Sequence, residues 1–489
     1  MECRVRFMKL ISLYIENYKK FNRQNINFDE SILEQEFEKF YGKAKITTLI
    51  GSNGSGKTTI LSFIAKIFRF IQIRQENIES EYCLIYEIGG NLIKIEYLKN
   101  SVYFTLNNNE KKLLLEMRRK KGKSEYFYKE HQKEEECEAI TFDVIKEYIP
   151  KNLIVSAFDS DYFSLDYRTF TCEHIVKLNN THYFKSFFSL EISLGIIRFF
   201  DEYSNNNNFK TTLQNMNISF NGNIKAYLKF SVNEDTEIYE ELESFSNKYN
   251  IIFNRLIENI ENGYIFKKFI IEESINDFQW KFNMIKFINY RKYNLELLEI
   301  LIRHRCFFIN DIYLGKTPEY SIENMSTGEK LILGRIFFIL SYIKDNSLLI
   351  IEEPEIHLNY LWARHVFSIL LTLVKKYEIH MLISSHNWTF INNLNPSQIL
   401  LMESKHSKKI CHPKESTFLA DINVINDMFN NEVSSDNSIE EYIYKLMADK
   451  DLERLKFYFS IMGESYLKVL VFKKLMELGG LDINVESDK

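Results

Sequence analysis

Eight consecutive residues, Gly51-Ser52-Asn53-Gly54-Ser55-Gly56-Lys57-Thr58, have the types and spacing of a loop that binds phosphate groups. Glycine lets the backbone wrap around a phosphate, so that several N–H groups point inward together. Lys57 is placed to reach the β- and γ-phosphates of a nucleotide, and the Thr58 hydroxyl is placed to bind Mg²⁺. We therefore predict that this loop, with Thr59 directly after it, binds ATP and Mg²⁺.

Two carboxylates end an apolar run, Leu348-Leu349-Ile350-Ile351-Glu352-Glu353-Pro354. Such a run is typical of a buried parallel strand whose carboxyl end meets a ligand. The pattern predicts that Glu352 holds Mg²⁺, directly or through water, and that Glu353 orients or deprotonates the attacking water. The alternative is a core strand that ends in a solvated acidic turn.

Two shorter motifs are less specific when each is taken alone. Ser326-Thr327-Gly328-Glu329 begins an apolar helical run with a capping box, and the free N–H groups of that helix end could bind an anion. Taken alone, this motif is an ordinary capped helix. The segment Ile383-Ser384-Ser385-His386 ends a short strand with a histidine, which is a suitable polar sensor beside a phosphate site. In isolation such a histidine is more often structural.

The elements that position these motifs follow from the periodicity of the sequence. A β-rich segment over 45–50 runs into the glycine loop, and a helical pattern over 59–71 follows at once. Residues 8–28 predict a strand, a turn and a strand, and alternation over 80–106 predicts β-hairpins. In the second half, helices are predicted at 326–343 and 359–376, and strands at 348–351, 380–383 and 399–402.

Composition excludes several classes of protein. The chain has 489 residues, 45% apolar and 26% charged, and its 16 Gly and 5 Pro exclude collagen-like and proline-rich architectures. A net charge of −5 argues against whole-molecule attraction to nucleic acid, and 6 scattered cysteines predict reduced thiols. The longest apolar run, 366–374, is too short for a membrane helix, and the N-terminal sequence is not that of a signal peptide. We expect a soluble, cytoplasmic protein.

One basic run, 118–123, lies between acidic stretches. We interpret it as a solvated loop, and the alternative is contact with the phosphate backbone of DNA.

Taken in order, the motifs resemble those of ABC-type ATPases of the RecF, SMC and OLD (overcoming lysogenisation defect) kind, which are AAA-family ATPases. The resemblance covers about 1–165 and 311–412. It makes 325–330 the signature motif and His386 the switch histidine, and it implies catalytic roles for Lys57, Glu353 and His386. In such ATPases two heads sandwich two nucleotides, so Ser326, Gly328 and Glu329 would act on the ATP of the partner.

This chain departs from its relatives at two places. The stretch 355–359 resembles the D-loop, where relatives usually read EPExHLHP, but this chain has Asn359-Tyr360 in place of His-Pro. Thr327 also replaces a common small residue of the signature. We place the Q-loop at 156–161.

The predicted fold class is α/β: an ABC-type P-loop NTPase head with a β-rich N-terminal lobe. The predicted domains are 1–165 for the first half of the head, 166–310 for a compact, mainly helical insertion, 311–412 for the second half, and 413–489 for a helical region that could bind a partner. Residues 413–489 lack the strand and acidic pattern of a Toprim nuclease, and no HNH constellation is visible, so no built-in nuclease is expected.

In layout, the chain most resembles the PtuA ATPases of Septu anti-phage systems, which work with an HNH nuclease. This implies an ATPase subunit, assembled from head-to-head dimers, that controls a separate nuclease. Three alternatives remain open: a PARIS-like ATPase with a Toprim effector, a RecF- or SMC-like DNA repair ATPase, and a scaffold that binds ATP without appreciable hydrolysis.

Overall fold

The computed structural model describes most of the chain. The described residues are 8–28, 40–73, 78, 80–119, 126–130, 139–157, 175–179, 190–230, 236–273, 279–315, 320–356, 358, 360–387, 394–402, 410–414, 417–418, 420, 438–462 and 466–479. Contacts divide the chain into two compact units, 1–390 with 395–415, and 391–394 with 416–489.

The N-terminal lobe is a seven-stranded antiparallel sheet in the order β2-β1-β4-β5-β6-β7-β8. Its strands alternate buried and half-exposed residues, because one face packs on the core and the other faces solvent. The β-hairpins predicted over 80–106 are confirmed, and Gly89 and Gly90, in the first turn, both have the positive φ that a tight hairpin requires. The strands are β1 (Lys9–Tyr18), β2 (Phe21–Asn27), β4 (Tyr82–Ile88), β5 (Asn91–Leu98), β6 (Ser101–Leu106), β7 (Lys112–Arg119) and β8 (Tyr126–Glu130).

The central sheet has seven strands in the order β10-β9-β16-β17-β3-β18-β19, and all neighbours are parallel except β18 and β19. Every residue of β9, β16 and β17 is buried, as expected for strands covered on both faces. The strands are β3 (Lys45–Ile50), β9 (Leu153–Ala157), β10 (Ile175–Asn179), β16 (Leu348–Glu352), β17 (His380–Ser385), β18 (Ile399–Met402) and β19 (Ile410–Cys411).

Three helices belong to the α/β part of the head. They are α1 (Lys57–Ile73), α10 (Thr327–Tyr342) and α11 (Tyr360–Val374), and all three confirm predicted helices within two residues at each end. A short helix α2 (Phe142–Ile145) precedes β9, and single turns of 3₁₀ helix lie at Lys146–Tyr148, Ile322–Asn324 and Pro396–Gln398. The predicted α/β class and the β-rich N-terminal lobe are confirmed.

The segment between the two halves of the head is richer in strand than its sequence predicts. Helices predominate there, but a five-stranded antiparallel sheet, β12-β13-β11-β14-β15, accompanies them. β10, which lies in the range predicted as insertion, belongs to the central sheet. The strands are β11 (Phe220–Leu228), β12 (Ile270–Glu273), β13 (Gln279–Asn283), β14 (Phe307–Leu314) and β15 (Tyr320–Ser321). The helices are α3 (Leu190–Asn205), α4 (Asn207–Asn215), α5 (Thr236–Lys248), α6 (Phe253–Glu261), α7 (Tyr264–Lys267), α8 (Met284–Tyr290) and α9 (Asn294–Arg303).

A glycine allows α3 of this segment to pack closely on α10. The Gly195 N–H donates to Ser341 Oγ at 2.8 Å, and a Cβ at Gly195 would lie only 1.6 Å from the Phe337 carbonyl oxygen. Any larger residue would therefore push the two helices apart. The close crossing fixes the segment to the helix that begins with the signature motif.

In the described part of the second unit there are three helices, α12 (Ser438–Asp449), α13 (Leu452–Ile461) and α14 (Tyr466–Glu477). They pack around a small apolar core formed by Ile443, Leu446, Leu455, Val471 and Leu475.

The structure bears on two predictions from composition, the absence of a membrane helix and the reduced state of the cysteines. Among the described helices, none is both long and apolar enough to cross a membrane. Cys83, Cys306 and Cys411 form no disulfide bond. The prediction of a loop at 118–123 is wrong for its first two residues. Arg118 and Arg119 are the last residues of β7 and pair with β8, because the strand that begins at Lys112 continues through them. Residues 120–123 lie outside the described residues.

Candidate nucleotide site

The glycine loop connects β3 to α1 at the carboxyl edge of the central sheet. Gly54 and Gly56 have φ values of +74° and +104°, which favour glycine, and a Cβ at Gly56 would lie 2.1 Å from Lys20 Cε. The loop therefore keeps the open backbone that phosphate binding requires. Within it, the Ser55 hydroxyl is buried and has no hydrogen-bond partner among the described residues, so it can donate to a phosphate oxygen.

Lys57 lies at the start of α1 and is almost fully buried, with 4% of its surface exposed. Its ammonium donates to the carbonyl oxygens of Gly51 at 2.7 Å and Ser52 at 3.2 Å. Burial lowers the pKa of Lys57, while the charges of Glu353, Glu355 and Glu352 raise it. The lysine thus lies on its own loop, close to three carboxylates.

Thr58 and Glu352 are brought into direct contact, although 294 positions separate them in the chain. The Thr58 hydroxyl donates to Glu352 Oε1, and Glu352 is the last residue of β16 and is buried. A hydroxyl and a carboxylate are oxygen ligands of the kind that Mg²⁺ prefers. The pair therefore fits the predicted metal-binding role.

Glu353 follows directly in an unusual backbone conformation. Its φ is +38°, a region that few non-glycine residues occupy, and its N–H donates to the Ser384 carbonyl oxygen at 2.9 Å. This bond ties the turn after β16 to the end of β17. Strained backbone of this kind is frequent at functional sites.

His386 lies beside Glu353, as the two assigned roles require. The distance from His386 Nδ1 to Glu353 Oε1 is 3.7 Å, and 46% of the histidine side chain is exposed. The histidine comes directly after β17, and that strand is the neighbour of both β16 and β3 in the sheet. The candidate base and the candidate sensor thus face each other at one sheet edge.

The signature residues form the N-terminus of α10. Glu329 N–H donates to Ser326 Oγ at 3.4 Å, and Ser326 N–H donates to Glu329 Oε2 at 2.7 Å, which completes the predicted capping box. Ser326 and Thr327 are exposed, and Gly328 is half-buried. Within the described residues, the side chains of Ser326 and Glu329 hydrogen-bond only inside this box. Neither bond joins them to the glycine loop of their own chain.

Two residues at this site were not predicted from the sequence. Lys20, in the turn between β1 and β2, donates to the Gly54 carbonyl oxygen. Lys19 and Lys20 are two adjacent lysines in the turn between the strands predicted over 8–28. This basic pair was the feature of the sequence that could have indicated the contact. Glu355 is buried and accepts hydrogen bonds from Ser385 and His386, whereas its motif predicted only a place in the D-loop.

Other predicted site residues are described without a contact that assigns them a role, or lie outside the described part of the chain. Ser156, the first residue of the predicted Q-loop, is buried in β9, and 158–161 lie outside the described residues. His357 and Asn359 of the D-loop stretch also lie outside them. Ser52 and Asn53 are exposed on the glycine loop, and Thr59 is buried in the first turn of α1.

Comparison with known proteins agrees with this geometry. Residues 8–391 match the family model described as AAA ATPase domain. No curated protein matches the chain.

Solved structures that are similar to the chain include three head domains of SMC proteins. An Smc head domain with an extended coiled coil from Pyrococcus furiosus, bound to the C-terminal domain of ScpA, has 12% identity and a TM-score of 0.32, covering 81% of this chain and 93% of that one. The SMC head domain from Thermotoga maritima has 12% identity and a TM-score of 0.31, covering 81% and 94%. An SmcHead bound to the C-winged helix domain of ScpA has 12% identity and a TM-score of 0.38, covering 83% and 98%.

The family model spans well over half of the chain and includes the glycine loop, the signature residues, the acidic strand end and His386. The chain therefore belongs to the AAA ATPase domain family.

Proposed function

We propose that this chain binds and hydrolyses ATP as the ATPase subunit of a bacterial anti-phage complex, and that it controls a separately encoded nuclease. The observation that carries the ATPase part is the contact of Thr58 with Glu352, beside a buried Lys57 and the facing pair Glu353 and His386. These five residues come from three elements that meet at one edge of the sheet.

In the proposed mechanism the glycine loop binds the phosphates. Its backbone N–H groups and the start of α1 supply positive potential, and Lys57 exchanges the carbonyl oxygens of Gly51 and Ser52 for phosphate oxygens. Thr58 and Glu352 would hold Mg²⁺, which supplies charge neutralisation to the phosphates when bound. Because the lysine is already buried, little side-chain entropy is lost when it binds phosphate.

Glu353 is the proposed general base. Its carboxylate accepts the proton of the attacking water, and the close Nδ1 of His386 stabilises the orientation of that carboxylate. The backbone bond from Glu353 N–H to the Ser384 carbonyl oxygen holds the base at the sheet edge.

The signature residues are proposed to act on the ATP of a second copy of the chain. The helix end that carries Ser326 is exposed, and its polar side chains engage only each other among the described residues. A helix N-terminus of this kind is suited to an anion that another molecule presents. Head-to-head dimers would bring the two sites together.

The nuclease partner is proposed from the layout of the chain, which is similar to that of Septu ATPases with an HNH partner. The C-terminal three-helix unit adds a surface for such a partner. Its large exposed hydrophobic side chains are Tyr442, Tyr444, Phe457, Val469, Phe472 and Met476. Side chains of this kind are enriched where proteins bind one another.

The ATPase part is tested by removing the Lys57 ammonium. We expect Lys57→Ala to abolish ATP binding and turnover, measured by equilibrium binding of labelled ATP and by phosphate release. Lys66→Ala is the matched control, because Lys66 lies on the same helix and donates to the Tyr18 hydroxyl at 3.4 Å instead. ATP affinity that is equal in the two variants would refute the site.

The partner is tested by co-expression with each candidate nuclease. We expect an HNH protein to co-purify with the chain and to cleave DNA in a manner that Lys57→Ala alters. Co-purification of a Toprim protein instead would support the PARIS-like alternative. ATP-stimulated binding of duplex DNA by the chain alone, without a nuclease, would favour the repair-type alternative.

A further inference from the structure

A buried carboxylate lies at the candidate site without a role in the proposed mechanism. Glu355 has 6% of its surface exposed, and its Oε1 accepts the Ser385 hydroxyl and, at 3.3 Å, the His386 N–H. Ser385 is the last residue of β17 and His386 follows it directly, while Glu355 belongs to the turn after β16. One oxygen atom thus bridges the two strand ends that carry Glu353 and His386.

The bridge also fixes where the histidine ring lies. His386 Nδ1 is 3.7 Å from Glu355 Oε1 and 3.7 Å from Glu353 Oε1. The ring is therefore bracketed by two carboxylates, of which Glu355 is the more deeply buried. A second bond, from Glu353 N–H to the Ser384 carbonyl oxygen, reinforces the same junction.

Packing alone does not explain a carboxylate at this position. Glu355 Oε2 is buried and has no hydrogen-bond partner among the described residues. Burial raises the pKa of Glu355, and the hydrogen bond from Ser385 opposes this shift. A buried polar atom without a partner destabilises the folded chain. An apolar side chain would fill the space without that cost, but it could not accept the two hydrogen bonds.

We propose that Glu355 is a positioning residue for ATP hydrolysis, whose Oε1 holds the end of β17 so that His386 faces Glu353. This inference rests on the proposed ATPase function. It assigns Glu355 a specific role within its own chain, whereas the motif alone gave it only a place in the D-loop.

Two substitutions of Glu355 distinguish the contribution of its hydrogen-bonding oxygen from that of the side chain's size. We expect Glu355→Ala to lower kcat about tenfold or more while the KM for ATP changes less. Glu355→Gln keeps an oxygen that can accept both bonds, so we expect it to restore most of kcat. A Gln variant no better than the Ala variant, or an effect on KM alone, would overturn the proposal.

Two neighbouring serines provide a matched pair in case the Glu355 variants fail to fold. Ser385 donates to Glu355, while the Ser384 hydroxyl is equally buried and has no partner among the described residues. We expect Ser385→Ala to lower kcat and Ser384→Ala to leave it unchanged. Equal kcat values in the two variants would contradict the positioning role.

A measurement that needs no ATP distinguishes failure of this inference from failure of the proposed function. In nucleotide-free protein with labelled histidine, the ring signals of His386 can be assigned by their loss in His386→Gln. We expect Ser385→Ala and Glu355→Ala, which both break the hydrogen bond between these two side chains, to shift or broaden these signals, and Ser384→Ala to leave them in place. Unchanged signals in Ser385→Ala and Glu355→Ala would overturn the positioning role, even if the wild-type chain proves to hydrolyse ATP.

Discussion

At the scale of single residues, the candidate site places one lysine and three glutamates close together. Burial lowers the pKa of Lys57, and the charges of the nearby Glu353, Glu355 and Glu352 oppose that shift only in part. The oxygen ligands proposed for Mg²⁺ are the Glu352 carboxylate and the neutral Thr58 hydroxyl. The hydrogen bond between them shows that both side chains converge on one place.

The Thr58 hydroxyl is the group whose removal reports on the metal. We expect Thr58→Val, which preserves the shape of the side chain, to raise the Mg²⁺ concentration for half-maximal ATPase activity about tenfold. Thr48→Val is the control, because Thr48 Oγ1 is also buried but has no partner among the described residues. Titration of both variants with MgCl₂ at fixed ATP makes the comparison. Identical Mg²⁺ curves would show that Thr58 is not a metal ligand.

At the scale of elements, the parts that the sequence predicts best are the parallel strands of the head. The runs that form β16 and β17 have apolar centres and end in polar residues, and β3 is buried from Ile46 to Ile50, where the glycine loop follows. Since their carboxyl ends share one edge, the meeting of Glu352 with Thr58 and of Glu353 with His386 can be expected from the sequence alone.

The sheet of the inserted segment could not be predicted in the same way. β11 has Gly222 with a φ of +85° between two asparagines, and these residues are depleted in strands. β12 consists of two isoleucines and two exposed glutamates, too short to show a period. Pairing with neighbours distant in the chain, rather than local pattern, decides these strands. The role of Glu355 is hidden for a similar reason, because its partners lie 30 residues away or more.

A histidine that the sequence did not single out joins the two sheets of the head. His380 begins β17 and is fully buried. Its Nδ1 accepts the Leu10 N–H of β1 at 2.9 Å, and its Nε2 lies 2.9 Å from Thr47 Oγ1 in β3. Because Nδ1 accepts a hydrogen bond, the ring is neutral with its proton on Nε2. Burial first, and then the charges of Lys45 and Lys9, lower its pKa well below 6.5.

This histidine predicts how stability depends on pH. In the unfolded chain His380 takes up a proton near its ordinary pKa of 6.5, while the folded chain does not, so stability decreases as the pH falls below 6.5. The slope from this residue approaches about 1.4 kcal/mol per pH unit. Urea unfolding at several pH values measures it in the wild type and in His380→Asn, which keeps an acceptor for Leu10. We expect the variant to be less stable at neutral pH but to lose this slope. An equal slope in both proteins would rule out the buried neutral histidine.

At the scale of the whole molecule, the proposed dimer explains why the signature helix end is exposed. The capping box satisfies α10 within its own chain, and the exposed face of Ser326 remains available to a second copy. Each composite site would then take Lys57 from one chain and Ser326 from the other. Two chains that are defective at different halves should therefore complement each other.

Mixing two inactive variants tests this sharing of sites. Lys57→Ala removes the phosphate-binding half, and Ser326→Arg blocks the signature half with a bulky side chain. We expect each variant alone to lack ATPase activity, and we expect the mixture to recover part of it, because each heterodimer has one intact composite site. Loss of the N-cap costs only about 1 kcal/mol, so Ser326→Arg should still fold. Its thermal unfolding midpoint checks this. A mixture as inactive as its components would contradict shared sites.

Glu353→Gln tests the central claim, hydrolysis of ATP at this sheet edge, most directly. The substitution removes the proposed base but keeps the size of the side chain, so MgATP should still bind. We predict that single-turnover release of phosphate from pre-bound ATP slows at least about 100-fold, while the amount of bound ATP stays at the wild-type level. Phosphate release at the wild-type rate would show that Glu353 is not the base and would contradict the account.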